Sequence, residues 1–173
     1  MMLTIPWVDI DPEPETVGAN ADAGGPSGLF FGAEAEQGFR QECDELLRQA
    51  GLRPTRQRLA LSWLLFGKGG RHLTAEMLHA EATRDNIRIS LATVYNTLNQ
   101  FTEAGLLRRI AADGIKSFFD TDTSVHPHFY LEGEDVLVDV AEGLTFTRVP
   151  EALPGHEIAR LDVIVHLRRK RAR

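Results

Sequence analysis

Cysteine is almost absent from this chain of 173 residues, where it occurs only at Cys43. A single thiol excludes an intrachain disulfide framework and a zinc site made of four cysteines. Long apolar runs are also missing, because the longest near-continuous one, LALSWLLF, is far short of the roughly 20 residues that span a bilayer. The first residues contain no basic segment of the secretory type. These absences predict a cytoplasmic protein without a membrane partner.

Basic side chains are missing from the beginning of the sequence, since residues 1–39 contain seven acidic groups and no Lys or Arg. Residues 40–117 have the opposite balance, twelve basic groups against eight acidic ones, although the whole chain carries a net charge of −6. The middle of the chain is therefore a candidate for contact with a polyanion. Residues 1–36 are rich in Gly, Pro, Ala and acidic side chains and show little periodicity, which predicts a disordered acidic tail.

Helical periodicity characterises the part of the sequence that follows this tail. Apolar side chains recur at helical spacing from Phe39 until Gly51 ends the pattern. A second helix is expected after Pro54, and Thr74 is a suitable N-cap for a third. Three helices are therefore expected before a fourth, distinctive one.

The fourth predicted helix has an unusual surface. Ser90 is a good N-cap for it, Gly105 is a good stop, and its apolar stripe would consist of Leu91, Val94, Leu98 and Phe101. The opposite face would carry small or uncharged polar side chains, namely Ala92, Thr93, Asn96, Thr97 and Gln100. Short amide and hydroxyl groups can reach base edges in the major groove of DNA, so this helix is a candidate for reading sequence.

The residues after this helix have the pattern of a two-stranded hairpin, because LLRRIAADGIKSFFD alternates around a turn at Asp113 and Gly114. Three helices, a polar-faced fourth and a basic hairpin predict a winged-helix domain over residues 37–121 that binds double-stranded DNA. Basic side chains near the second helix and on the hairpin would contact phosphates and add salt-dependent affinity without reading sequence. They are Arg53, Arg56, Arg58, Arg108, Arg109 and Lys116.

Short β-rich runs separated by Gly and Pro occupy residues 122–173, and they are HFYLEGEDVLVDV, LTFTRV and EIARLDVIVHL. They predict a small sheet. So small a sheet is a poor core by itself, and its edge strands invite pairing with a second copy, so we expect a homodimer.

Residues 50–140 resemble the ferric uptake regulator family of metal-responsive transcription factors. The motifs that carry the likeness are AGLRPTRQRLALSWLL, RHLTAEMLHAEA, SLATVYNTLNQFTEAGLLRR and GIKSFFDTDTSVHPH. The resemblance implies an α+β fold in which an N-terminal winged-helix DNA-binding domain is followed by a small α/β dimerisation domain, with a regulatory site near the hinge. It also implies that Tyr95 and its neighbours meet the bases beside Arg56. The residues expected at the DNA are Arg56, Ser90, Thr93, Tyr95, Asn96, Arg108 and Lys116.

Two departures from the family pattern refine this expectation. The Cys-x-x-Cys pair that helps hold a structural zinc has FYLEGEDV as its counterpart here, so no structural zinc is expected. The long helix that usually follows is replaced by EGLTFTRVPEALPG, which is too short and too rich in Gly and Pro. With GLRPTRQRLALSWLLFGKG and the ending EIARLDVIVHLRRKR, these departures resemble the iron response regulator branch of alphaproteobacteria.

That branch resemblance implies haem as the ligand. It implies a regulator of haem synthesis and iron uptake genes that is released from its operator by haem. The Cys-Pro haem motif of some members is not supported here, because Cys43 precedes Asp44.

The ligand site is expected around the HPH sequence. The strand period of two places His126 and His128 on one face, as a metal ion or haem iron requires. The family pattern implies that Asp120, Asp139 and His72 complete the set of ligands. Haem would need one or two axial imidazoles and an apolar slot, for which the candidate lining residues are Phe129, Tyr130 and Phe146.

Two alternatives to a haem sensor remain. A regulator that binds Mn²⁺ or Fe²⁺ directly through the same five residues is the first, because imidazole with carboxylate suits these ions. A metalloenzyme using His126, His128 and Asp139 is the second. It is disfavoured, because no nucleophile, general base or phosphate loop accompanies these residues. The protein is therefore not expected to be an enzyme.

Overall fold

The computed structural model describes residues 33–112, 114, 116–141 and 144–170, with side chains from residue 37 onward. The helices are α1 (Ala33–Gln49), α2 (Arg56–Phe66), α3 (Ala75–Arg84) and α4 (Leu91–Glu103). The strands are β1 (His72–Leu73), β2 (Arg108–Ala111), β3 (Ser117–Asp120), β4 (His128–Leu131), β5 (Val136–Asp139) and β6 (Ile164–Leu167). The predicted disordered tail lies outside the described residues, apart from its last four, which are helical and begin α1.

The helix boundaries follow the predicted capping residues. Thr74 accepts a hydrogen bond from the Met77 N–H and Ser90 from the Thr93 N–H, so the expected N-caps of α3 and α4 are confirmed. Gly105, after α4, has a φ of 74°, a left-handed conformation that favours glycine. Local sequence chemistry therefore fixes both ends of α4.

The helices pack around a shared apolar core, to which α4 contributes Val94, Leu98 and Phe101. Two details of the predicted stripe are wrong. Thr97 is buried at 4% exposure, because it stands three residues after Val94 and shares its face. Leu91 is 37% exposed, because it belongs to the first turn of the helix, where the core does not reach.

The first sheet has the order β1-β3-β2, and both pairs are antiparallel. The predicted hairpin is confirmed in β2 and β3, although Asp113 in its turn lies outside the described residues. Phe119 of this sheet packs into the helical core, while Ile110 and Phe118 belong to a second core. Because successive strand residues alternate in direction, the first sheet has apolar contacts on both of its faces.

The second sheet has the order β5-β4-β6, with β4 antiparallel to β5 and parallel to β6. Tyr130, Leu137 and Ile164 pack against Ile110 and Phe118 of the first sheet. The two sheets therefore share an apolar interface, and the predicted boundary at residue 121 falls between β3 and β4.

The mixture of helices and strands gives the expected α+β fold, with two corrections in the second half of the chain. The run LTFTRV (residues 144–149) forms no strand. The described residues 122–141 and 144–170 contain strands and no α-helix, so the predicted α/β character of this half is wrong. The Gly and Pro residues around this run explain the lack of a helix. Among the described helices, none combines the length and apolar character that a membrane span requires.

Candidate metal centre

Five side chains from both sheets and the loop between them converge on one point, with ligand atoms that all lie within 4.8 Å of one another. They are His72, Asp120, His126, His128 and Asp139. All five were predicted ligands, so the structure brings the whole predicted set together.

Strand register explains this convergence. His72 of β1 lies opposite Asp120 of β3, and His128 of β4 lies opposite Asp139 of β5. Directly opposed residues in antiparallel strands share a face of the sheet. The interface between the two sheets therefore brings both pairs together, and the loop before β4 adds His126.

Two carboxylate oxygens each face the same three imidazole nitrogens. Asp120 Oδ2 lies 3.3, 3.2 and 3.5 Å from the Nε2 atoms of His72, His126 and His128. Asp139 Oδ1 lies 3.0, 2.8 and 3.5 Å from the same atoms. This mixed nitrogen and oxygen set is of the kind that binds a divalent transition metal ion.

Four of these five atoms are buried without a hydrogen-bond partner, namely the Nε2 atoms of the three histidines and Oδ2 of Asp120. Unpaired buried polar atoms cost about 1–3 kcal/mol each. A cation bound between the lone pairs would satisfy all four. The donor set therefore fits a metal ion.

Hydrogen bonds on the far side of two ligands fix their orientation. The Asp122 N–H donates to Asp120 Oδ1 at 2.8 Å, which leaves Oδ2 directed at the centre. A hydrogen bond of 3.2 Å joins Ser124 Oγ to His126 Nδ1, which leaves Nε2 for the centre. Outer partners of this kind tune the affinity of a metal site.

The pKa values of three members of the cluster shift in different directions, for different physical reasons. Burial opposes ionisation of Asp120, but the adjacent His72 imidazole and the hydrogen bond from the Asp122 N–H outweigh it, and the pKa of Asp120 is lowered. Burial likewise opposes protonation of His72, yet Asp120 and Asp139 raise its pKa. Burial and the neighbouring His126 and His72 lower the pKa of His128. Asp120 is therefore ionised and His128 neutral at pH 7, the forms that bind metal.

The predicted haem slot is not formed by the aromatic residues expected to line it. Phe129 follows His128 in β4 and so points to the opposite face. The Tyr130 ring packs 6.0 Å from that of Phe118 in the core between the sheets. Phe146 is 48% exposed in a segment without regular structure. These three aromatic side chains do not enclose one cavity beside the histidines.

The residues predicted to read bases lie at the N-cap and on the first half of α4. Asn96 and Tyr95 are exposed, and Ser90 and Thr93 are joined through their hydroxyl groups at 2.8 Å. Tyr95 donates its hydroxyl to Glu76 Oε1 at 2.5 Å, and this hydrogen bond raises the pKa of the phenol. Sequence reasoning missed Glu76, because no pattern within the chain connects α3 to α4.

The basic residues near the second helix differ in whether their side chains are free to contact a phosphate. Arg56 is exposed at the start of α2. Arg58 donates to the side chain of Gln100 at 2.9 Å and to the Arg53 carbonyl at 2.7 Å. Arg58 therefore ties α2 to α4, whereas Arg56 is available to a phosphate.

The hairpin cations also differ from expectation. Arg108 is 8% exposed and donates to Asp162 and to the Ser124 carbonyl, so its predicted phosphate contact is wrong. Lys116 forms an ion pair with Asp135, and both side chains remain about half exposed. Arg109 is exposed.

Comparison with known sequences connects this site to one family. The model of the ferric uptake regulator family matches residues 49–139. The ferric uptake regulation protein of Vibrio cholerae is 36% identical over 104 residues, 60% of this chain and 66% of that protein. The corresponding protein of Pseudomonas fluorescens is 34% identical over 114 residues, 65% of this chain and 88% of that protein. The chain thus matches just under two thirds of the length of the Vibrio relative.

Comparison with solved structures supports the fold. The ferric uptake regulator of Pseudomonas aeruginosa with manganese matches with a TM-score of 0.57 at 24% identity, over 75% of this chain and 98% of that one. The Vibrio cholerae ferric uptake regulator matches with a TM-score of 0.59 at 24% identity, over 72% and 98% of the two chains. The architecture described above is therefore shared with known structures.

Proposed function

Because this chain belongs to the ferric uptake regulator family, we propose that it is a metal-responsive, DNA-binding transcription regulator and not an enzyme. One divalent ion, held by His72, Asp120, His126, His128 and Asp139, would control its affinity for DNA. The observation that carries the proposal is the convergence of five ligand atoms, four of them buried and without a hydrogen-bond partner. We place the protein in the cytoplasm, with its DNA.

The chemistry of the ligands selects the class of ion. Three imidazoles and two carboxylates suit Fe²⁺ or Mn²⁺, and no thiolate belongs to the cluster. Cys43 is buried in α1, where burial raises its pKa to about 12, and it does not belong to this cluster.

The position of the ligands suggests how binding reaches the DNA. His72 and Asp120 belong to the first sheet, whereas His128 and Asp139 belong to the second. A bound ion supplies a bond between the two halves of the chain. It would favour the arrangement in which β2 and β3 are docked on the second sheet, and DNA that prefers this arrangement would bind more tightly.

DNA recognition is proposed for residues 37–121, acting as a winged helix. The N-cap residue Ser90, with Thr93, Tyr95 and Asn96 of α4, would meet base edges in the major groove. Arg56 and Lys116 would contact phosphates, which position the protein without reading sequence. The operator would be AT-rich and roughly symmetric.

A symmetric operator requires a dimer, and the outer face of the second sheet offers a surface for one. The strand register places six apolar side chains on this face, away from the first sheet. They are Phe129, Leu131, Val136, Val138, Val165 and Leu167. The exposure of Val138 (44%) and Leu167 (40%) shows an apolar surface that a second copy would cover.

Haem in place of the ion is a second proposal, supported by the likeness to the iron response regulator branch. Residues 144–149 form no helix, in agreement with the departure that suggested this branch. His126 or His128 would supply an imidazole to the haem iron, and haem would release the protein from DNA. The position of Phe129, Tyr130 and Phe146 gives this proposal less support than the metal site has.

A binding titration separates the two proposals. Metal-free protein is titrated onto a fluorescent duplex selected from random DNA, with Mn²⁺, with Fe²⁺ without oxygen, or with haem. We expect Mn²⁺ or Fe²⁺ to tighten binding by about 5- to 150-fold, the usual range of coupling between two sites. Joint replacement of His126 and His128 by Ala should remove this effect. If haem weakens DNA binding and neither metal ion changes it, the haem sensor is the correct proposal. If none of the three ligands changes the affinity for DNA, both proposals are wrong.

A further inference from the structure

Arg108 extends from β2 towards the second sheet, on the same face of the strand as Ile110. Only 8% of the residue is exposed. One guanidinium nitrogen donates to the Ser124 carbonyl at 2.5 Å and the other to the Asp162 carboxylate, which also accepts from Arg160. The Arg108 guanidinium is buried whereas the Asp162 side chain is 26% exposed, so loss of Asp162 would leave a buried charge without its partner.

Both partners of Arg108 are connected to histidine ligands. The Ser124 hydroxyl is hydrogen-bonded to Nδ1 of His126, on the ring edge opposite the metal-facing Nε2. Asp162 precedes the residue whose carbonyl accepts the backbone N–H of His128 at 3.0 Å. A single side chain of the first sheet thus holds the two stretches that fix the HPH segment.

We propose that Arg108 is a positioning residue of the metal centre, which orients His126 through Ser124 and keeps β6 against His128. The inference rests on the metal site proposed above and adds an outer-shell residue to it. The same contacts would couple metal binding to the hairpin of β2 and β3. An ion that fixes the ligand loop would also stabilise the arrangement in which β2 packs on the second sheet.

Cobalt binding tests this role. Metal-free protein is titrated with Co²⁺ and followed by its visible absorption, which reports both affinity and coordination. Since loss of an outer-shell partner costs about 10- to 100-fold in metal affinity, we expect a weakening of that size in Arg108→Gln together with a changed spectrum. Arg108→Lys keeps the charge opposite Asp162 and should recover part of the affinity.

A metal-free measurement complements the titration. Hydrogen–deuterium exchange of residues 121–128 should be faster in Arg108→Gln than in the wild type, because the loop loses its tie to β2. Unchanged or slowed exchange of these amides in the variant would contradict the inference.

Two further variants complete the design. Arg48→Gln removes an exposed guanidinium from α1 and should bind Co²⁺ as the wild type does. Asp162→Asn keeps the contact between Arg108 and Ser124, should lose less affinity than Arg108→Gln, and provides the test if that variant does not fold. Wild-type affinity and spectrum in both Arg108→Gln and Asp162→Asn would overturn the inference alone. A wild-type chain that binds no Co²⁺ would overturn the metal site itself.

Discussion

Asp120 and Asp139 face the same three imidazoles from different surroundings. The Asp120 side chain is 1% exposed, and its second oxygen accepts the Asp122 N–H. The Asp139 side chain is 52% exposed at the end of β5. Water can replace a ligand at the exposed position but not at the buried one, so the two carboxylates should contribute unequally to metal affinity.

The first prediction follows from this asymmetry. Asp120→Asn should weaken Mn²⁺ binding by more than the roughly 100-fold that outer-shell substitutions reach, because it removes a buried charge from the centre. Asp139→Asn should weaken Mn²⁺ binding by a smaller factor. A competition titration with a chelator of known affinity gives both values, and His166→Ala, which changes an exposed histidine of β6, serves as the control. Equal losses in the two Asp variants would contradict the assignment.

The ion pair of Arg71 with Glu81 is a second test at residue scale, since it holds the chain next to the ligand His72. Arg71 Nη2 lies 2.5 Å from Glu81 Oε1, with both side chains less than one fifth exposed. Burial opposes ionisation of Glu81, but Arg71 outweighs it and the pKa of Glu81 is lowered. A lowered carboxyl pKa contributes stability above the unfolded pKa of about 4.3 and loses it as the pH falls through the folded value.

Glu81→Gln should therefore reduce the free energy of unfolding at pH 7 by on the order of 1.5–3 kcal/mol, the range for hydrogen bonds to charged groups. The difference from the wild type should shrink as the pH falls below about 4, where the wild-type carboxyl is protonated too. Urea denaturation across this range measures it. Glu103→Gln, an exposed change at the end of α4, should have little effect. A difference that stays constant with pH would exclude the ion pair as its cause.

At the scale of the elements, α4 and α2 should contribute different components of DNA affinity. Asn96 is exposed on α4 and offers an amide to base edges, whereas Arg56 at the start of α2 offers charge to phosphate. Asn96→Ala should cost about 1–3 kcal/mol on the selected operator and little on random DNA. Arg56→Ala should weaken binding to the operator and to random DNA, and it should lower the slope of log affinity against log salt concentration by about 1. Anisotropy titrations over a salt series separate these outcomes, and a sequence-independent loss in Asn96→Ala would contradict base reading.

The elements also show what local sequence can and cannot predict. Caps and hairpin were predictable, because Ser90, Thr74 and the β2–β3 alternation act over a few residues. The burial of Arg108 was not, because its partner Asp162 is 54 residues away and a charged strand residue looks like a surface residue. The β-rich run of residues 144–149 also resembled a strand by composition alone, yet no strand forms there.

At the scale of the whole molecule, the metal ligands were predicted through the family pattern, and the spacing of the two histidines alone is too common to identify them. Their convergence depends on the contact between two sheets, which the sequence does not display. On the opposite face of the second sheet, Val138 and Leu167 are exposed in the part of the chain that the structure describes. The metal ligands and the proposed dimer surface therefore lie on opposite faces of the second sheet.

The proposed dimer gives a prediction at this scale. Val138→Asp places a charge on the outer face of the second sheet and should turn a dimer into a monomer at micromolar concentration, as seen by sedimentation velocity. Val125→Asp changes a residue that is 76% exposed in the loop before β4 and should leave the dimer intact. A monomeric wild type would refute the proposed dimer, and a dimer that persists in Val138→Asp would place its interface elsewhere.

Binding of Mn²⁺ to the metal-free protein, followed by the loss of the free-ion signal in electron paramagnetic resonance, tests the central claim most directly. The account predicts saturation at one ion per chain in the wild type. It predicts no saturable binding when His126 and His128 are both replaced by Ala. Unchanged stoichiometry and affinity in that double variant would show that the five converging side chains are not the metal site.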